Sequence, residues 1–206
     1  GVRFCNESTP YDFLCFQAGQ QPGGVWCEVF DANAPEDILR FDTMGCSGFA
    51  KQMMAAGMPL EEFVATSRDA GYLKKADTIE ELLSKIEGID VDEAKKSIER
   101  YNELCKAGED TDFFKSSQRL FALENGPFYA AECGCALTLG NLGGFDSDDE
   151  CHVYDNDRKI IKGLYACGAP QGGRFAVQYP ISLKGLSCGM CMVYGKIAGE
   201  NAAAGK

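Results

Sequence analysis

The last third of the sequence holds the residues best spaced for chemistry. Ile161-Lys162-Gly163-Leu164-Tyr165-Ala166-Cys167-Gly168 runs through Ala169 into Gly172-Gly173, and a helix is expected from about Gly185, carrying Gly189, Gly195, Ala198 and Gly199. Apolar residues ending at a small residue and a glycine pair read as a buried strand opening into a tight loop. A helix opening with small residues then points its N-terminus into that loop, where backbone N–H groups suit an anion or a polarised oxygen. Other groupings are thinner. Cys188-x-x-Cys191 has the spacing of a metal or redox pair, but no second C-x-x-C accompanies it. The only histidine, His152, falls in an expected hairpin. The turn Asp146 to Glu150 lacks the glycine and distal glutamate of a calcium loop. No G-x-G-x-x-G occurs, so the chain has no sequence for cradling a dinucleotide pyrophosphate.

The elements that would position this segment follow from hydrophobic period and punctuation. Gly24 to Asp31 reads as a strand within a glycine-interrupted stretch, and helices are expected over Ser47–Ala56 and Leu60–Ala70. Asp77, with Glu80 three positions on, predicts a capped helix whose stripe is Ile79, Leu82, Leu83 and Ile86, ended by Gly88. Asp90 with Glu93 predicts another, burying Val91, Ala94, Ile98, Tyr101 and Cys105 and stopping at Gly108. The acidic run Glu109-Asp110-Thr111-Asp112 reads as a solvated loop. Pro127–Cys133 is an expected strand, and Cys151–Tyr154 and Ile160–Cys167 pair across Asp155-Asn156-Asp157-Arg158.

Bulk properties narrow the class. The 206 residues suffice for one large or two small domains, and no apolar run approaches the roughly 18 residues of a membrane span. A net charge of −11 argues against nucleic acid or an anionic membrane surface as partner. Eleven cysteines, an odd number beside this much apolar core, fit buried reduced thiols better than a disulfide framework. That thiol load favours a cytoplasmic setting; an export signal upstream of Gly1 is left open.

Several stretches, in order, resemble the flavoprotein family of fumarate reductases, succinate dehydrogenases and soluble flavocytochrome c or 3-oxosteroid dehydrogenase-like enzymes. They are Gly1-Val2-Arg3-Phe4-Cys5-Asn6-Glu7, Ala76-Asp77-Thr78-Ile79-Glu80-Glu81-Leu82, and Glu99-Arg100-Tyr101-Asn102 with Gly108-Glu109-Asp110-Thr111-Asp112-Phe113. Pro127-Phe128-Tyr129-Ala130, Gly143-Gly144 and Gly163-Leu164-Tyr165-Ala166 complete the series. The resemblance implies an α+β chain: a cap (clamp) domain over residues 1–139 and, over 140–206, the C-terminal segment of a Rossmann-like FAD-binding domain. It implies FAD, with the ring side of the flavin at Gly168, Ala169, Gly172, Gly173, Ser187, Cys188 and Gly189. The N-terminal Rossmann half of the same protein would supply the rest of the cofactor site, so the chain is expected to be a fragment, inactive alone.

Three departures shape the expected activity. Four positions after Glu7, where fumarate reductases of this family carry a proton-donating arginine, the residue is Tyr11. Leu137 to Gly144 has no histidine for a dicarboxylate, and Ala169 stands where an acidic residue usually contacts flavin. Fumarate is therefore not the expected substrate; a small, less polar unsaturated molecule is. Reduction of an enone needs hydride at the β-carbon, a proton at the α-carbon and a donor for the enolate oxygen. Tyr11 would give the proton, and Arg174 or Tyr179 would polarise the carbonyl. Each has a structural alternative: Tyr11 packing under the cap, Arg174 pairing with a surface carboxylate, Tyr179 holding a turn before Pro180. A stand-alone, flavin-free ligand-binding module with the cap fold, and a cysteine-rich metal or redox module, are the competing functions.

Overall fold

In the computed structural model of this chain, described here for residues 1–40, 47–69, 71–134, 142–175 and 177–206, helix and sheet are mixed. It divides into two compact units, Gly1–Cys135 and Ala136–Lys206. The expected boundary after residue 139 lies outside the described residues.

The first unit contains α1 (Tyr11–Gly19), β1 (Val25–Phe30), α2 (Ala34–Asp37), α3 (Ser47–Ala55), α4 (Leu60–Asp69), β2 (Leu73–Ala76), α5 (Ile79–Ser84), α6 (Val91–Ala107) and β3 (Phe128–Gly134). The strands form an antiparallel sheet in the order β1-β3-β2. Strand alternation gives the sheet two apolar faces. On one, Cys27, Val29, Ala76, Phe128 and Ala130 meet Leu82, Leu83 and Ile86 and, on α6, Ala94 and Ile98. On the other, Phe30 stacks on its register partner Tyr129 at 5.1 Å, against Leu73, Val64 and Leu60.

Several expectations shift. The cap of α5 is Thr78, whose side chain accepts from the Glu81 N–H, one residue beyond the expected Asp77–Glu80 pair. Asp90 caps α6 on Glu93 as expected, and Gly108 ends it in the left-handed conformation. Its buried side chains are Ala94 and Leu104, whereas Val91 lies at the solvent edge because it starts the helix beyond the sheet. Three elements went unread: α1, whose apolar residues show no helical stripe and leave only Ala18 buried, α2, a single turn of four residues, and β2, which is only four residues long and carries two lysines.

The expected solvated loop after Gly108 is instead an anchor. Asp110 is 2% exposed; its Oδ1 accepts from Arg3 Nη1 at 3.1 Å and its Oδ2 from Arg3 Nη2 at 2.7 Å. The N–H groups of Asp112, Phe113 and Lys115 also donate to it, each at 3.1 Å. Burial raises its pKa, but the Arg3 hydrogen bonds and these N–H groups outweigh it and hold the carboxyl well below the usual range. The clamp leaves Phe114 at φ 58° and 83% exposed. A left-handed residue with a Cβ is strained by about 1–2 kcal/mol, and an exposed ring recovers little of that. Phe114→Gly should therefore raise stability by about 0.5–1 kcal/mol, read as a higher urea midpoint at constant slope.

The second unit contains β4 (His152–Tyr154), β5 (Ile160–Tyr165) and α7 (Leu186–Ala204). The two strands pair antiparallel as expected, and Asp155 Oδ1 closes their turn by accepting from the N–H groups of Asp157 and Lys159. The expected burial of β5 is overturned: Ile160 is 52% exposed, and Ile161 and Leu164 are also open. Among the described residues its partner strand is β4. α7 is similar. It is apolar for most of its 19 residues, yet its buried residues are Ala198 and Asn201, and Met192 is 76% exposed.

Candidate functional site

The glycines of the C-terminal loop do different jobs. Gly172 is buried against Gly144, with the Phe145 N–H on Pro170 O at 2.8 Å and the Gly172 N–H on Phe145 O at 2.9 Å. A Cβ on Gly144 would fall 2.3 Å from Pro170 O, so this crossing requires bare backbone. Gly168 turns the chain at φ 70°, and Cys191 Sγ fills the space a Cβ would need there. At Gly173 and Gly189, in contrast, nothing lies within 4 Å of where a Cβ would stand. Ala169, Ser187, Cys188 and Gly189 are exposed beside them in sequence.

The start of α7 is ordered by a tyrosine. The first N–H groups of a helix have no partner within it. Gly185, left-handed at φ 82°, precedes the helix, and the Leu186 N–H returns to Leu183 O. The Ser187 N–H donates to Tyr179 Oη at 2.8 Å. The Gly189 N–H already reaches Gly185 O, which leaves the Cys188 N–H as the early donor with no acceptor among the described residues. Tyr179 also accepts the Ile181 N–H at its carbonyl, so it holds the turn as well as the helix end. Phe175 meets its ring edge-on, centroids 5.1 Å apart and planes at 79°.

Arg174 is differently employed. Its guanidinium lies 4.1 Å over the Tyr194 ring; Nη1 reaches Asp149 Oδ1 at 3.0 Å and Nη2 reaches Asp148 O at 3.0 Å. The aspartate turn that receives it is fixed by Asp148, which accepts from the Glu150 and His152 N–H groups and pairs with His152 Nδ1 at 2.9 Å. Burial raises the Asp148 pKa, and the His152 hydrogen bonds more than reverse this. Arg174 thus takes the alternative weighed for it, a surface carboxylate, with a stacked tyrosine and a backbone carbonyl added. Tyr194 and Phe175 were not foreseen; no local pattern marks an aromatic that meets its partner only after folding.

In the first unit Tyr11 opens α1, half-buried, after Pro10. The turn before it is tied down by Asn6, whose Nδ2 donates to Phe113 O at 3.2 Å and whose Oδ1 accepts from the Ser8 N–H at 2.8 Å. Glu7 joins Arg3 and Lys115, and the Lys115 ammonium donates to Tyr101 Oη. Burial pushes the thiols of Cys5 and Cys133 up to about 11 and that of Cys27 to about 12, so all three stay protonated at neutral pH. Among the described residues no three His, Cys, Asp or Glu side chains gather as a metal site. No helix among them is long and apolar enough to cross a membrane.

Residues 1–182 match the family described as FAD binding domain. The chain is 30% identical over 225 residues to 3-oxosteroid 1-dehydrogenase of Mycolicibacterium smegmatis, covering 99% of this chain and 37% of that protein. It is 34% identical over 206 residues to fumarate reductase (cytochrome) of Shewanella frigidimarina, covering 98% and 30%. The 3-ketosteroid delta1-dehydrogenase from Sterolibacterium denitrificans shares its fold across the whole chain, with a TM-score of 0.70 at 24% identity and 37% of that structure covered. The chain therefore spans about a third of the length of these relatives.

Proposed function

This chain belongs to the FAD binding domain family, and we propose that it is part of a flavoenzyme that reduces or dehydrogenates a C–C bond conjugated to a carbonyl. Gly1–Cys135 serves as the cap, and the second unit returns to the FAD-binding domain. FAD, when bound, supplies the two-electron chemistry, accepting or giving a hydride at N5. The residues present fit the ring side of that cofactor. Gly173 and Gly189 offer bare backbone with open space, Cys188 offers an N–H, and Gly168 and Ala169 shape the approach. Gly172 supports the loop from behind, and the Ser187 N–H serves through Tyr179. A pyrophosphate cradle must come from a G-x-G-x-x-G half.

The observation that carries the reading is Tyr179 Oη at the N-terminus of α7. A phenol can both accept and donate, and Tyr179 Oη accepts the Ser187 N–H. A phenol O–H placed on a substrate carbonyl would stabilise the charge that develops on oxygen as hydride leaves or arrives at the β-carbon. Tyr11 holds or delivers the proton at the α-carbon. Arg174 is matched by Asp149 and spent on the Asp148 carbonyl, which favours a neutral ketone over a dicarboxylate. The exposed apolar surface of β5 and α7 suits cover by the dinucleotide half.

Expression of the whole reading frame tests this reading. The protein should carry one FAD, and its reduced flavin should be reoxidised by enones and not by fumarate. The present chain alone, mixed with FAD and desalted, should lose the flavin. A whole protein without flavin, or one that prefers fumarate, would overturn the proposal.

A further inference from the structure

A polar atom that a fold buries costs free energy unless something bonds it, and nearly all such atoms in native proteins are bonded, by protein or by ordered water. Among the described residues, two buried side-chain atoms meet no protein partner: Gln171 Oε1 and Arg174 Nε. Both belong to the second unit, and the rest of each side chain is well held. Gln171 is 2% exposed; its Nε2 donates to Ser147 Oγ at 3.1 Å and lies 3.9 Å from Cys151 Sγ. Arg174 spends Nη1 on Asp149 and Tyr194 and Nη2 on the Asp148 carbonyl. Ser147 and Asp148 are consecutive, so the two side chains converge on one stretch of the aspartate turn. Cys151 reports the same convergence: burial raises its pKa, and the Arg174 charge, close enough to act on that thiol, opposes the rise.

The two atoms have opposite character: an amide oxygen only accepts, and a guanidinium N–H only donates. A cation would meet Oε1 but sit against the guanidinium, and an anion would meet Nε but face Oε1. Water accepts from the one and donates to the other. Ser147 Oγ, which accepts from Gln171 Nε2, keeps an O–H to give, and so offers the third bond that a buried water commonly makes. We propose that the second unit binds one ordered water between Gln171 Oε1 and Arg174 Nε, with Ser147 as its third partner. The site stands apart from the proposed function and holds whether or not flavin approaches the loop.

A crystal structure of the whole flavoprotein, at a resolution that shows ordered solvent, tests this. A single peak is expected within hydrogen-bond distance, about 2.7–3.2 Å, of both Gln171 Oε1 and Arg174 Nε. Gln171→Met keeps the length and bulk of the side chain without its amide, and the peak should be lost. In solution, magnetic relaxation of water oxygen, which counts waters held inside for longer than the protein tumbles, should find one fewer in the variant. No peak in the parent overturns the proposal. So does a protein N–H or O–H of the whole chain seated on Gln171 Oε1, or a peak that survives Gln171→Met unmoved. If the variant does not fold, the density of the parent decides alone.

Discussion

Tyr11→Phe should slow turnover of an enone by the whole flavoprotein about 100-fold or more, the scale of a lost general acid. The substitution removes one hydroxyl at the first residue of α1 and keeps the ring, so packing of the half-buried side chain is preserved. Flavin content should not change. Reduction of the flavin by an artificial donor should continue, because that half-reaction does not draw on this proton. The solvent isotope effect on the enone half-reaction should shrink in the variant as proton delivery passes to water. A variant with near parental turnover would make Tyr11 a packing residue and move the search for the donor to Tyr179.

How much of this could be read beforehand depends on where the deciding interaction lies. Asp90 and Gly108 bracket α6 as local signals should, because a cap is made by residues three or four apart. The hairpin of β4 and β5 was legible for the same reason. β5 was misjudged in burial, since Ile160, Ile161 and Leu164 announce an apolar environment without saying which part of a protein supplies it. α1 carries no stripe to detect, with Phe13 and Phe16 both exposed and Ala18 alone inside. The acidic run was misread because one of its members pairs with an arginine 107 residues away, a separation no window spans.

The candidate site divides along the same line. The glycines and the start of α7 were found by type and spacing, but their separate tasks were not. Gly172 needs bare backbone because Gly144 crosses it, while Gly173 and Gly189 face open space. Tyr179 and Arg174 were chosen as equals on chemistry alone. Their partners distinguish them: Tyr179 Oη stands at a helix N-terminus, whereas Arg174 is enclosed by Tyr194, Asp149 and a carbonyl.

Asp110→Ala should cost the first unit about 3 kcal/mol, the low end for breaking a buried ion pair. The low end applies because Arg3 keeps Glu7, whose Oε1 lies 2.6 Å from Arg3 Nε. The loss has a second part: the N–H groups of Asp112, Phe113 and Lys115 lose their acceptor inside a clamped loop. Urea unfolding followed by Trp26, the one tryptophan and a residue of β1, reads this unit directly. The pH dependence has a definite sign. The folded carboxyl titrates well below its unfolded value of about 3.9, so its contribution is complete above that value and fades as pH falls through the folded one. The gap between parent and Asp110→Ala should be flat from about pH 8 to pH 5 and should close below about pH 4. A gap that instead widens toward low pH would mean that the carboxyl is protonated in the folded chain and that Arg3 is neutralised by Glu7 alone. The same clamp bears on the role proposed for Tyr11, since Asn6 ties the turn before it to the Phe113 carbonyl, inside the loop that Asp110 holds. On that proposal, Asp110→Ala should lower turnover along with stability.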